Sequence, residues 1–411
     1  MIYLNAHSKK RSMTDDYNAN AVEFQDLPSD DDVELNGASK FSEAVVHSTD
    51  WTTETIVSQL RRGNILLNPR FQRRDAWKPQ HKSRFIESLI LGLPIPQIVL
   101  AEQKEQRGKF IVLDGKQRLL ALMQFWGAGE GANNGYALTG LQVRKELNRK
   151  TFKQLESEQK YEEYLNSLLN QPIRTVVIKN WPDTDFLHLI FLRLNTGSVK
   201  LSPQELRQAI VPGPFTNWID QVAVESAELK ALLKLDEPDY RMRDIELLAR
   251  FFAFSHFIND YRGRMKEFLD HAFNEFNANW ATYENICATD LLEFAAGVQA
   301  LVSVFGDRLA RKPGGKLFNR AVFDFLIFYS KRPDVRAAFT GNEAPLQQRY
   351  EALFNSQNFV SAVERDTAGL PNTVVRIAAW GAALNEVCGL QLALPELIEV
   401  DGEQRIHYAG E

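Results

Sequence analysis

At 411 residues the chain is longer than one hydrophobic core usually fills, about 250–300 residues, so two folded units and a tail are expected. With 44% hydrophobic and 25% charged residues the composition is that of a folded, soluble globular protein. The formal net charge of −5 excludes the global basic excess of a histone-like protein and leaves any nucleic-acid contact to a local patch.

Cys287 and Cys388 stand far apart, with no CxxC and no His-spaced partner, so neither a disulfide framework nor a zinc site is expected and a reducing cytoplasm fits best. The start, Met1-Ile-Tyr-Leu-Asn, turns polar at once, and no uninterrupted apolar run approaches the roughly 20 residues of a membrane span. Secretion and insertion are therefore not expected.

Residues 1–42 read as a flexible tail, rich in Ser, Asp, Asn and Lys and carrying the acidic run Ser29-Asp30-Asp31-Asp32. Ile56, Val57 and Leu60, with Gly63 beyond them, predict a short helix over Trp51–Leu60. A polar, cationic loop with large aromatics follows, Asn68-Pro69-Arg70-Phe71-Gln72-Arg73-Arg74-Asp75-Ala76-Trp77. A helix is predicted from Pro79, with Phe85, Ile86, Leu89 and Ile90 on one face and Gly92 at its end. Leu93-Pro94-Ile95-Pro96 enforces an extended turn into a strand over 97–101, and a second strand is predicted over 109–113. The turn Asp114-Gly115 then opens an apolar-periodic helix through Leu119, Leu120, Leu122, Met123 and Trp126.

Further on, a charged helical insertion is predicted over roughly 150–169 and a strand over Ile173–Ile178. Asp183-Thr184-Asp185 can cap a helix reaching Leu194, and Ser202-Pro203-Gln204-Glu205 has the form of a capping box with Pro at the first helical position. Beyond Pro212-Gly213-Pro214 the pattern is helical, near 216–234, 243–259, 262–279, 288–305, 317–330, 345–356 and 373–388, with no fixed repeat. The expected organisation is thus an α/β domain over 43–214 and an irregular helical domain over 215–411, an α+β chain overall.

The strongest constellation is the strand running through Phe110-Ile111-Val112-Leu113 into Asp114-Gly115-Lys116-Gln117-Arg118 and a helix. Such a turn presents unpaired backbone N–H groups and the positive end of a helix dipole, which suits phosphate. Gly115 permits close approach, Lys116 and Arg118 add charge-assisted donors, and Gln117 can orient a ligand. The structural alternative is that Asp114 is an N-cap and the basic residues are solvated. The loop with Arg70, Gln72, Arg73, Arg74 and Trp77 suits phosphates and stacked bases, or else its aromatics anchor the loop to the core. Asn195, in Arg193-Leu194-Asn195-Thr196-Gly197, either ends a helix or faces the site. His188 and His256 read as partly buried histidines, and Asp239-Tyr240-Arg241-Met242-Arg243-Asp244 as a solvated helix entrance or a partner contact.

Taken in order, Phe71-Gln72-Arg73, Trp77, Ile86–Pro96, Asp114–Arg118, Arg193–Gly197 and Leu201–Leu206 closely resemble the GmrSD-type restriction endonuclease N-terminal domain family over roughly residues 45–215. The resemblance implies a ParB/sulfiredoxin-like fold that binds or hydrolyses nucleoside triphosphates in bacterial defence systems sensing modified DNA. The family's Asp-Gly-Gln-Gln-Arg signature falls on Asp114, Gly115, Lys116, Gln117 and Arg118, with Lys116 in place of Gln, and its Gln-Arg loop on Gln72 and Arg73. A lysine meets phosphate as a point charge but lacks the amide, so binding is favoured over hydrolysis. The loop has no cysteine nucleophile for sulfiredoxin chemistry.

Many family members continue into an HNH nuclease, whereas 216–411 offers only His256, His271 and His407, so DNA cleavage is expected to need a separate nuclease. In the leading reading Arg118, Lys116 and Arg73 hold phosphates with Arg70, Gln72, Gly115 and Asn195 around them. Asp114 caps the loop or positions Mg²⁺ or water, and Gln117 orients the ligand. In the second, the domain is a non-enzymatic scaffold gripping DNA phosphates while the helical half recruits an effector.

Overall fold

The computed structural model describes residues 22–25, 44–67, 77–104, 106–127, 135–183, 186–187, 190 and 202–410. The chain divides into two compact units at Ile210 and Val211, and residues 22–25, within the stretch expected as a tail, belong to the second.

The first unit is built on a five-stranded mixed sheet. In chain order its elements are β1 (Val45–Thr52), α1 (Thr53–Arg61), β2 (Ile65–Leu66), α2 (Pro79–Ile90), β3 (Ile98–Glu102), β4 (Phe110–Asp114), α3 (Lys116–Phe125), α4 (Phe152–Ser157), α5 (Glu162–Asn170), β5 (Pro172–Lys179) and α6 (Pro203–Ile210). The strands lie in the order β1-β5-β3-β4-β2. β1/β5 and β3/β4 are antiparallel, and β5/β3 and β4/β2 are parallel.

Strand alternation sorts the side chains onto two faces. Ile98, Leu100, Phe110, Val112, Ile173 and Val177 meet α1, α2, α3, α4 and α5 in the larger core. Val99, Ala101, Ile111, Leu113 and Ile178 form a smaller core with Trp181, Phe186, Leu187 and Leu206 of α6. A helix-covered mixed sheet in the first unit followed by a helical unit is the expected α+β class.

Local signals explain most boundaries. The Thr52 side chain accepts the Thr55 N–H at the start of α1, and Pro79 occupies the first turn of α2. The helix predicted from Trp51 begins two residues later because Trp51 and Thr52 complete β1. β1 itself was not legible: four of its first residues are exposed, and it is an edge strand held by main-chain pairing to β5 rather than by an apolar alternation.

The second unit comprises α7 (Pro214–Glu225), α8 (Ala227–Leu233), α9 (Arg243–Phe257), α10 (Met265–Ala278), α11 (Trp280–Phe305), α12 (Arg320–Ser330), α13 (Pro333–Phe339), α14 (Glu343–Leu353), α15 (Gln357–Glu364), α16 (Leu370–Cys388) and the hairpin β6 (Glu396–Val400) and β7 (Glu403–His407). Aromatic rings fill its core: Phe215 contacts Phe252, Phe273 and Phe276 at centroid distances of 6.0, 5.1 and 4.4 Å. Two buried guanidiniums tie helices together. Arg250 of α9 pairs with Asp324 of α12, Nε to Oδ1 at 2.9 Å, and this partner outweighs burial and holds Arg250 firmly protonated. Arg376 of α16 donates to Ala362 O at 2.5 Å and Thr367 O at 2.7 Å, and burial pulls its pKa down to about 10. The segment Trp280–Arg308, which includes α11, is long and apolar enough by length and composition to cross a membrane. Its Phe294, Val298, Leu301 and Val304 are buried inside the unit.

Candidate phosphate-binding turn

β4 delivers Asp114 to the end of the sheet, and a bulge in the β3/β4 ladder sets Val99 opposite Asp114 and Leu100 opposite Val112. Bulges of this kind re-aim the side chains beside them. Gly115 then turns the chain into α3 with φ +99°, a left-handed conformation open to glycine. A Cβ at this position would meet Ile98 Cγ1 at 3.1 Å and Arg118 Nη2 at 3.2 Å. The helix N-cap is therefore Gly115, with no side-chain cap bond, and not Asp114.

Asp114 has a different task. Its Oδ1 accepts the Gly115 N–H at 2.7 Å, and its Oδ2 accepts Arg118 Nη2 at 3.0 Å across one turn of helix. The same Nη2 donates to Gln97 O at 3.0 Å, so Arg118 joins the turn to the segment entering β3. Arg118 Nε is buried without a hydrogen-bond partner among the described residues.

Lys116 points away from solvent. Its Nζ lies 2.7 Å from Glu205 Oε1, and the two side chains are 6% and 5% exposed. Glu205 is also the last residue of the predicted capping box: its Oε2 accepts the Ser202 N–H at 2.8 Å, and Ser202 Oγ accepts the Glu205 N–H at 3.1 Å. One carboxylate thus serves the start of α6 and the turn before α3. Neither Lys116 nor Arg118 is the solvated surface cation of the structural alternative. Gln117 is half-buried in the first turn of α3.

The structure brings together Asp114, Gly115, Lys116, Gln117 and Arg118. Arg70, Gln72, Arg73 and Asn195 lie outside the described residues, as do His188 and most of the helix expected after Asp183, although Asp183 Oδ1 does accept the Phe186 N–H at 2.9 Å. Trp77 is half-buried against Phe85, ring centroids 5.7 Å apart, so this aromatic of the cationic loop packs on the core. Asp239, expected in a solvated cap, is fully buried and chelated by Arg243, Nε to Oδ2 at 2.6 Å and Nη2 to Oδ1 at 3.1 Å. A run of charges is compatible with burial when a charge such as Asp239 is matched by a neighbour such as Arg243.

Two buried carboxylates of the first unit have roles that local sequence does not disclose. Glu205 was seen only as a cap. Glu87 of α2 is 4% exposed, and its carboxylate accepts three successive backbone N–H groups, from Gln142 at 3.1 Å, Val143 at 2.8 Å and Arg144 at 2.7 Å. Its signal was a lone Glu on the buried face of an amphipathic helix. Among the described residues no group of three His, Cys, Asp or Glu side chains is placed to hold a metal ion.

These features define an α/β domain in which a strand, a left-handed glycine and a helix start are locked by an Asp-Arg pair and a buried Lys-Glu pair. More particularly, residues 53–212 match the model of the GmrSD restriction endonuclease, N-terminal domain. Over these residues the chain is similar to that domain family. No curated protein and no solved structure matches the chain.

Proposed function

We infer that the turn at 114–118 binds a phosphate-bearing ligand, a nucleoside triphosphate or DNA backbone, as the sensing element of a bacterial restriction-like defence system. The carrying observation is the junction itself: β4 runs through a left-handed glycine into the start of α3, which places the positive end of the helix dipole at the turn. Arg118 lies in the same turn and brings a guanidinium charge, held by Asp114 and Gln97, beside the proposed phosphate. Arg70, Gln72, Arg73 and Asn195 complete the proposed site on the strength of their sequence positions. Asp114 positions Arg118 and would be the carboxylate to hold Mg²⁺ or a water if either binds there. Gln117 orients the ligand.

One observation favours binding without turnover. Both oxygens of Asp114 are engaged, and Lys116 is committed to Glu205. This supports the second reading, a recognition module that recruits a separate nuclease. The test is equilibrium binding and hydrolysis of ATP, GTP and CTP by the purified chain, with and without DNA, beside Asp114→Ala and Arg118→Ala. Binding lost with Arg118→Ala supports the site, and turnover lost in both variants selects the enzyme over the module. Undiminished nucleotide and DNA binding by both folded variants would remove the turn from the function.

A further inference from the structure

The helical unit holds a four-residue segment from far upstream. Val22 N donates to Leu233 O at 3.0 Å, Gln25 N to Phe318 O at 2.8 Å, and Phe318 N to Glu23 O at 2.8 Å, so Phe24 and Phe318 form a parallel bridge. Val22 is buried and Glu23 exposed. The Phe24 ring lies 4.9 Å from the Phe318 ring, 4.8 Å from the Arg243 guanidinium and 4.6 Å from that of Arg320. Asn319 Nδ2 donates to Gln25 Oε1 at 3.0 Å.

The receiving side is fixed independently of this segment. Arg243 is held by Asp239, and Arg320 Nε lies 3.2 Å from Glu246 Oε1. Asn319 is fully buried, and its Oδ1 accepts the Val322 N–H at 3.0 Å as the cap of α12. A rigid rim with main-chain pairing for register, two aromatic-facing guanidiniums for one ring and an amide for the next residue is the layout by which proteins read extended peptides.

The segment side is slight. Val22-Glu23-Phe24-Gln25 is a short apolar-aromatic island in a stretch otherwise dominated by polar residues. Three backbone hydrogen bonds, one ring and one amide are set against the entropy of ordering four residues, so a contact of this size persists chiefly through the high effective concentration that tethering provides. We propose that this surface is a peptide-recognition groove for an extended aliphatic-x-aromatic-Gln segment, and that Val22–Gln25 is its resident, exchangeable ligand in cis.

The test is fluorescence polarisation of a labelled peptide spanning residues 18–30 against the full chain and against its Phe24→Ala variant. The variant, with its own ligand weakened, is expected to bind the peptide at least tenfold more tightly than the unaltered chain, and a peptide carrying F24A is expected not to bind. Arg320→Gln added to the variant should weaken binding severalfold. A cooperatively folded Phe24→Ala chain that binds no better than the unaltered one, or that binds both peptides alike, would overturn the proposal. Should that variant not fold, a protease site inserted between residues 26 and 43 serves instead. After cleavage, excess peptide should displace the N-terminal fragment, and a fragment that stays bound is not an exchangeable ligand.

Discussion

The Lys116 ammonium sits 2.7 Å from Glu205 Oε1 with both side chains almost fully buried, so the turn that opens α3 and the cap that opens α6 share one ion pair. Removing one member strands the other charge in the interior, a loss of about 3–5 kcal/mol. Lys116→Ala should destabilise the first unit by that amount in urea unfolding. Lys116→Gln should be milder, because an amide can still donate to Glu205. Replacing both partners together, with Met at 116 and Leu at 205, should recover part of the loss, the rest reflecting the cap bond that Glu205 also gives Ser202. A Lys116→Ala chain within about 0.5 kcal/mol of the unaltered one would show that the pair contributes nothing.

Gly115→Ala tests the turn by geometry alone. The added methyl must occupy φ +99° and approach Ile98 and Arg118 at 3.1 and 3.2 Å. A loss of about 1–2 kcal/mol is expected from the left-handed conformation, with a further loss from the displaced guanidinium. Because the methyl pushes on Arg118, nucleotide or DNA affinity should fall more than in a variant of equal stability loss made elsewhere in the unit. Equal affinities at matched stability would separate the turn from ligand binding.

Glu87 offers a third test. Its carboxylate gathers the N–H groups of Gln142, Val143 and Arg144, and Glu87→Ala leaves those donors without their shared acceptor. The expected cost is about 3 kcal/mol, and the three amides should exchange with solvent deuterium much faster than in the unaltered chain. Glu87→Gln keeps an acceptor oxygen and should retain part of the protection. Unchanged exchange at 142–144 in the Ala variant would contradict the anchoring role.

What the sequence disclosed follows from where the information lies. The faces of α2 and α3, the strands β3, β4 and β5, and the Ser202-Glu205 capping box are encoded by local periodicity and cap chemistry, and each was legible. β1 was hidden because main-chain pairing to β5 decides it, and that partner lies more than a hundred residues away. The hairpin β6/β7 was overlooked within a helical context even though Asp401-Gly402 has the left-handed turn chemistry that announces it, with φ of +55° and +79°. In the site, the side-chain types were readable, but their partners were not. That Lys116 faces Glu205, and Asp114 faces Arg118, depends on the angle between elements and on a bulge in the β3/β4 ladder.

Asp239 makes the stability of the second unit depend on pH. Burial alone would raise its pKa, but the Arg243 guanidinium and the backbone N–H groups of 241 and 243 outweigh it and hold the carboxyl below its ordinary 3.8. A carboxyl depressed in the folded state contributes stability that is fully present above the unfolded value and is lost as pH falls through the folded one. The second unit should therefore be insensitive to this group at neutral pH and weaken progressively below about pH 4. Asp239→Asn should be less stable at pH 6 by about 3–5 kcal/mol, the cost of breaking a buried pair, and its deficit should shrink as the pH is lowered. Thermal melts of both chains at pH 6, 4.5 and 3.5 measure this difference directly. A deficit that stays constant across the series would mean that Asp239 keeps no depressed pKa. It would also mean that Arg243, which faces Phe24, is held in place by something other than this carboxylate.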